Sequence, residues 1–146
     1  MDWIDTLRDN LKLRPWWMNL LMAFCAYMTF IYVPWDFFFK PVAEDEEVWF
    51  GILLTGWAAK ATEPLHWAIY AAGTVGFWRM RPWMHPWAAV YVVQIAIGMF
   101  VWSLLDERSP GWIGGIAAAL PFVILAVALW RARGRFDGLG APGETV

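Results

Sequence analysis

Six side chains in this sequence are of types that move protons or hold ligands, and all stand near the ends of long apolar stretches: Asp36, Lys60, Glu63, His66, Ser103 and Asp106. Glu63 and His66 lie three residues apart, so on a helix they share a face, and the carboxylate can hold and polarise the imidazole. Such a pair serves as general acid and base on a bound molecule. Glu63, His66 and Asp36 are therefore the candidate catalytic residues. Glu-x-x-His also supplies ligands in di-iron bundles, but those need a second copy and further carboxylates on facing helices. The other histidine, His85, belongs to the opposite end of the apolar stretches. No metal and no cofactor is expected.

Each of these residues has a plainer reading beside the chemical one. Glu63 suits the first turn of a helix through the helix dipole, His66 can hydrogen-bond at an interface, and Asp36, after Pro34 and Trp35, can cap a loop. Gln94 is in the middle of an apolar stretch, where an unpaired amide is costly, so it must face other helices. Tyr27, Thr29 and Tyr70 are weaker cases of the same kind. Gln94, Tyr70, Trp67 and Tyr27 are the candidate ligand-binding residues. The acidic run Glu44 to Glu47 reads as a solvated helix start, and Trp49 and Trp57 as interfacial anchors.

The elements that must position these groups are apolar helices. The chain is 60% hydrophobic and 16% charged, with mean hydropathy +0.45, more apolar surface than a water-soluble domain of 146 residues can hide. Its thirteen tryptophans cluster at the ends of the apolar stretches. Indole is apolar with one N–H donor and settles where hydrocarbon meets headgroup. Residues 2–14 predict an amphipathic surface helix, with Trp3, Ile4, Leu7 and Leu11 on one face. Apolar spans are expected beyond it at about 16–35, 63–80, 86–105 and 111–130, the first reaching about 28 Å at ~1.5 Å per residue. Thr62-Glu63-Pro64 carries the signal of a helix start. Residues 45–60, broken by Gly51 and Gly56, read as an interfacial or re-entrant helix. The expected fold is an all-α integral membrane four-helix bundle, one domain over 1–136, with a disordered Gly/Pro-rich tail at 137–146.

Charge sidedness supports an even number of spans. With both termini on one face, that face carries eight of the eleven basic residues, while the other carries eight of the thirteen acids. The positive-inside rule then places the termini in the cytoplasm, with a bacterial inner membrane as the expected setting. The first span is expected to remain as an anchor, not a cleaved signal. The single cysteine, Cys25, excludes an intrachain disulfide. Small residues recur every four positions at Ala68, Ala72 and Gly76 and at Gly111, Gly115 and Ala119, where helices can approach closely. Pro121 is expected to kink the last span.

Phosphate loops, CxxC pairs and the HExxH and GxSxG motifs are all missing. The basic residues form a thin juxtamembrane fringe that attracts anionic headgroups and do not form a nucleic-acid-binding patch.

The order of features resembles the EXPERA family of four-span membrane proteins, which includes sterol isomerases. The resemblance rests on Tyr32-Val33-Pro34-Trp35-Asp36, on Trp57-Ala58-Ala59-Lys60 before Glu63-Pro64, and on the Arg81-Pro82 turn, with Tyr91 and Leu120-Pro121-Phe122 adding to it. It implies a sterol-sized apolar cavity lined by a few acids, with Asp36 matching the family's acid at the end of the first span. The chain departs from the family in having no acid at the middle of its second span. Two functions are expected from these features. The first is binding of a lipid- or sterol-like ligand in an outer-half pocket, with isomerase-like chemistry. The alternative is a non-catalytic accessory subunit of a larger membrane complex. The expected partners are membrane lipids, an apolar small molecule, and other membrane proteins or further copies of the chain, with no nucleic acid.

Overall fold

The computed structural model describes residues 2–136, so the tail predicted at 137–146 lies outside the described residues. The chain is mostly helical. An amphipathic helix α1 (Trp3–Lys12) precedes α2 (Trp16–Tyr27), which continues through a wide π-helical turn (Met28–Tyr32) into α3 (Val33–Phe39). A hairpin of β1 (Glu46–Trp49) and β2 (Ile52–Thr55) comes next, succeeded by α4 (Trp57–Trp78), α5 (Met84–Leu105) and α6 (Gly111–Arg131). Among the described residues, three helices are long and apolar enough to cross a membrane: the continuous Trp16–Phe39 helix of 24 residues, α5 of 22 and α6 of 21. α4 has 22 residues but is less apolar.

The wide turn in the first long helix has a local cause. Pro34 lacks an N–H, and in a straight α-helix its ring would press on the carbonyl of Phe30. A π turn relieves that clash by inserting an extra residue. The Thr29 hydroxyl donates to the Cys25 carbonyl at 2.7 Å within the same stretch. The inserted residue rotates the next two turns of helix about the axis, and Val33 and Asp36 come out buried. The first helix thus runs on to Phe39, past the predicted exit at Pro34 and Asp36.

Residues 45–60 are not one interfacial or re-entrant helix: 57–60 are the first turn of α4, and the residues before them form strands. The strands form an antiparallel hairpin in which Glu46 pairs with Thr55, Glu47 with Leu54, Val48 with Leu53 and Trp49 with Ile52. Phe50 and Gly51 make the two-residue turn, with φ of 51° and 86°. Positive φ at both central residues is what a type I′ turn requires. The two glycines that interrupt the predicted helix are the turn of the hairpin and its exit. Gly56, at φ 60°, donates its N–H to the Asp45 carbonyl at 2.9 Å and closes the base.

α4 begins at Trp57, not at Thr62-Glu63-Pro64. A proline in the second turn forfeits one bond, to the Lys60 carbonyl, and the turn before it is anchored by the hairpin base, where the Lys60 N–H reaches the Gly56 carbonyl at 3.0 Å.

The helices pack as two pairs, α2 on α4 and α5 on α6. Gly115 lies against Phe100 and Ser103, which brings α6 close to α5, and Gly76 lies against Met84 and Trp83. Gly73 faces Cys25 across the α2–α4 contact. The pairs converge at the end nearest the termini around Met18, Met22, Phe77, Met80, Met84 and Phe136. Arg14 is buried there and donates to the Phe77 carbonyl at 3.0 Å, while Asn10 donates to the Trp78 carbonyl at 3.1 Å. A cation at these last carbonyls suits the negative end of the α4 dipole and ties α1 to it. α6 carries Pro121 in mid-helix, and the helix is continuous from Gly111 to Arg131. At the other end the hairpin is wedged between α4 and α5, and it is this wedge that organises the polar residues.

Candidate functional site

The hairpin end holds a buried cluster of opposite charges. Asp36 and Lys40 are one turn apart, and the Lys40 ammonium is 3.1 Å from Asp36 Oδ1 and 3.0 Å from Asp45 Oδ1. Lys60, from the first turn of α4, donates to the main-chain oxygen of Asp36 at 2.6 Å. Its Nζ is also 3.2 Å from Asp45 Oδ2 and 3.1 Å from Glu63 Oε1. Asp36, Asp45, Lys60 and Glu63 are all buried. Charges buried this way persist only when paired and hydrogen-bonded. The three carboxyls approach within 4.8 Å of one another, the spacing that could hold a cation, but the two ammonium groups already neutralise that space.

Burial opposes the charges here, and the hydrogen bonds outweigh it. Burial lowers the Lys40 ammonium, yet bonding to Asp45 and Asp36 holds it above the usual lysine value. Burial likewise raises Asp45, but the Lys40 and Lys60 ammonium groups beside it bring it below the usual carboxylate range. The stability Asp45 contributes is thus fully present above its unfolded pKa of about 3.9 and is lost as pH falls through its lower folded value. Acid titration followed by near-ultraviolet circular dichroism is expected to show this loss in the wild type below about pH 4. Asp45→Asn should be less stable at neutral pH and lose less on acidification. An equal acid loss in both proteins would remove Asp45 from the account.

Glu63 and His66 share a helix face, as their spacing predicts, and both line a small pocket of about 100 Å³ together with Asp36, Glu47, Tyr32 and Tyr70. They do not form the predicted pair. Glu63 is held by Lys60, three residues earlier on α4. His66 Nδ1 is instead 2.8 Å from Glu47 Oε2 on strand β1. Trp49 stacks on the His66 ring with centroids 4.1 Å apart and planes 10° from parallel. Trp49 is therefore no anchor on an outer helix: it packs the hairpin against α4. Glu63 Oε2 has no hydrogen-bond partner among the described residues, although Glu63 is only 1% exposed.

A larger cavity of about 530 Å³ lies between the two helix pairs. All four long helices and the hairpin line it, through residues such as Phe24, Trp49, Gly73, Ala88 and Phe122. Tyr70, Tyr91 and Gln94 are among its lining residues, and Tyr70 also borders the small pocket. Gln94 and Tyr70 thus stand where a ligand-binding role puts them, and Tyr91 joins them. Trp67 and Tyr27 do not line either space. The Trp67 indole donates to the Thr29 carbonyl at 2.8 Å, which spends its polar atom on holding α4 to the wide turn. Tyr27 lies half exposed on the outside, near Tyr32.

Of the six polar residues near the span ends, four assemble and two do not. Ser103 is buried against Gly115 in the α5–α6 contact. Asp106 pairs with Arg108 at the surface, and that bond lowers its pKa to about 2. Sequence spacing did not single out Lys40, Asp45 or Glu47. Their signal was the acidic run lying between Lys40 and Lys60, but proximity along the chain does not say which of four consecutive acids turns inward. Comparison with protein-family models, with curated proteins and with solved structures returned no match for this chain.

Proposed function

We propose that the chain is a four-span membrane protein that binds a lipid- or sterol-like apolar molecule between its helix pairs. In this reading the Trp16–Phe39 helix, α4, α5 and α6 are the spans, and the arginine-rich end with both termini faces the cytoplasm of a bacterial cell. The observation that carries the proposal is the cavity of about 530 Å³, within the range of small-molecule sites and almost wholly apolar. The small polar pocket adjoins it at Tyr70. A ligand's polar or olefinic end placed there would meet Glu63 and His66, the acid and base that a double-bond isomerase needs.

The alternative, an accessory subunit, has less support. Gly73, Gly76 and Gly115 make their close approaches within the chain itself, so they do not mark a free surface for a partner.

Extraction and mass spectrometry of protein purified in mild detergent tests the proposal. The wild type is expected to carry an apolar molecule in near-stoichiometric amount. Ala88→Trp and Ile69→Trp, which fill the cavity from opposite walls, should retain about tenfold less at comparable thermal stability. Equal amounts in all three proteins, or none in the wild type, would overturn it.

A further inference from the structure

The cavity is open on one side. Phe24 on α2 and Trp87 and Val90 on α5 line it, yet they are 51%, 66% and 47% exposed on the outside of the protein. Ala72 on α4 is also both lining and exposed. A side chain can be both only at the rim of an opening. α2 and α5 make almost no contact with each other, so the opening is the gap between them. Phe50 at the hairpin tip and Trp83 just before α5 are also both lining and exposed, and they mark the two ends of the opening. Behind Phe50, Gly51 is lodged against Val101 and Trp102, and Trp49 packs over the cavity from the hairpin. At the end nearest the termini the methionine and phenylalanine core closes it.

We infer that the gap between α2 and α5 is a lateral portal, through which an uncharged lipid passes between the bilayer and the cavity without crossing water. The inference rests on the reading of the chain as a membrane protein with a ligand in this cavity. The rim residues are all apolar, so a charged headgroup drawn through them would lose its hydration with nothing to replace it. Acidic heads meet a second obstacle inside, because Asp36, Glu47 and Glu63 line the pocket that adjoins the cavity. The occupant class is thus a single-chain or fused-ring molecule with at most a small neutral polar end. Its length is bounded by the wall: the helical lining stretch of α5 from Trp87 to Ile95 runs about 12 Å at ~1.5 Å per residue.

The test uses diazirine-bearing tetradecanol and a diazirine-bearing sterol, with diazirine-bearing myristate as the charged comparator. Full-length protein in nanodiscs is loaded with probe, diluted into probe-free vesicles, and photolysed at intervals. Tryptophan at the rim (Phe24→Trp with Val90→Trp) is expected to slow release of the neutral probe about tenfold. Leu104→Trp, on the outside of α5 and away from the cavity lining, should leave release within about twofold of the wild type. Myristate should label far less than tetradecanol. Release unchanged by the rim substitutions, or slowed as much by Leu104→Trp, would overturn the portal while leaving the cavity as a ligand site. Failure of both neutral probes to label the wild type would overturn the portal and the ligand site together.

Discussion

Lys60→Met is expected to destabilise the protein by about 3–5 kcal/mol, the cost of leaving buried charge without its partner. Lys60 touches three acidic residues at once, through the Asp36 main-chain oxygen at 2.6 Å and the side chains of Asp45 and Glu63 at 3.2 and 3.1 Å. Methionine keeps most of the volume and none of the charge. Lys40 then stands alone against three carboxyls, and its ion pairs are to Asp36 and Asp45, not to Glu63. The expected response is uptake of protons by the cluster and loosening of the hairpin base, since Asp45 also accepts the Gly56 N–H. A second substitution separates charge from packing. Glu63→Gln in the Lys60→Met background removes one unpaired acid and should recover about half of the loss. Unfolding in mixed micelles, followed by circular dichroism, measures both values. A loss below about 1 kcal/mol for Lys60→Met, or strict additivity of the pair, would show that the cluster does not hold this end together.

Gly51→Ala is expected to cost about 3 kcal/mol, from two sources that act at one atom. The residue has φ of 86°, a conformation that L side chains rarely adopt, and an added Cβ would collide with Val101 Cβ and stand 2.9 Å from the Trp102 main-chain nitrogen. Backbone cannot swing aside as a flexible side chain can, so the hairpin tip must lift off α5. Gly111 supplies the control. Its φ is 76°, with nothing within 4 Å of the added Cβ, so Gly111→Ala bears only the conformational cost of about 1 kcal/mol. Lifting the hairpin also separates Trp49 from His66, and the near-ultraviolet signal of that stack should fall in Gly51→Ala and persist in Gly111→Ala. Equal losses in the two variants would mean that the close approach to Val101 carries no weight.

Which parts of the fold are legible in the chain depends on the range of the interactions involved. Long apolar stretches ending in Trp, Pro and Arg set α5 and α6 nearly to the residue, because twenty apolar residues bounded by breakers have few alternatives to a helix. The hairpin was illegible for the converse reason. Two strands of four residues are too short to display alternation, and Trp49, Ile52, Leu53 and Trp57 also fall at helical spacing. What makes Glu46–Thr55 a hairpin is the groove on α5 that accepts Gly51, a contact with residues about fifty positions away.

The candidate site divides along the same line. Spacing alone put Glu63 and His66 on one face, and burial cost alone required Gln94 to turn inward. Their partners were not decided by spacing. Glu63 took Lys60 because an ammonium one turn earlier on the same helix outcompetes an imidazole, and His66 took Glu47 because the hairpin delivers that carboxylate to it. Composition and periodicity thus determined the apolar helices, their approximate ends and the polar character of one end. The tertiary structure alone decided which acids are buried, that two helix pairs leave a cavity between them, and that it opens between α2 and α5. Those outcomes depend on how surfaces from distant segments fit, and a linear pattern records which residues must be buried without recording what they are buried against.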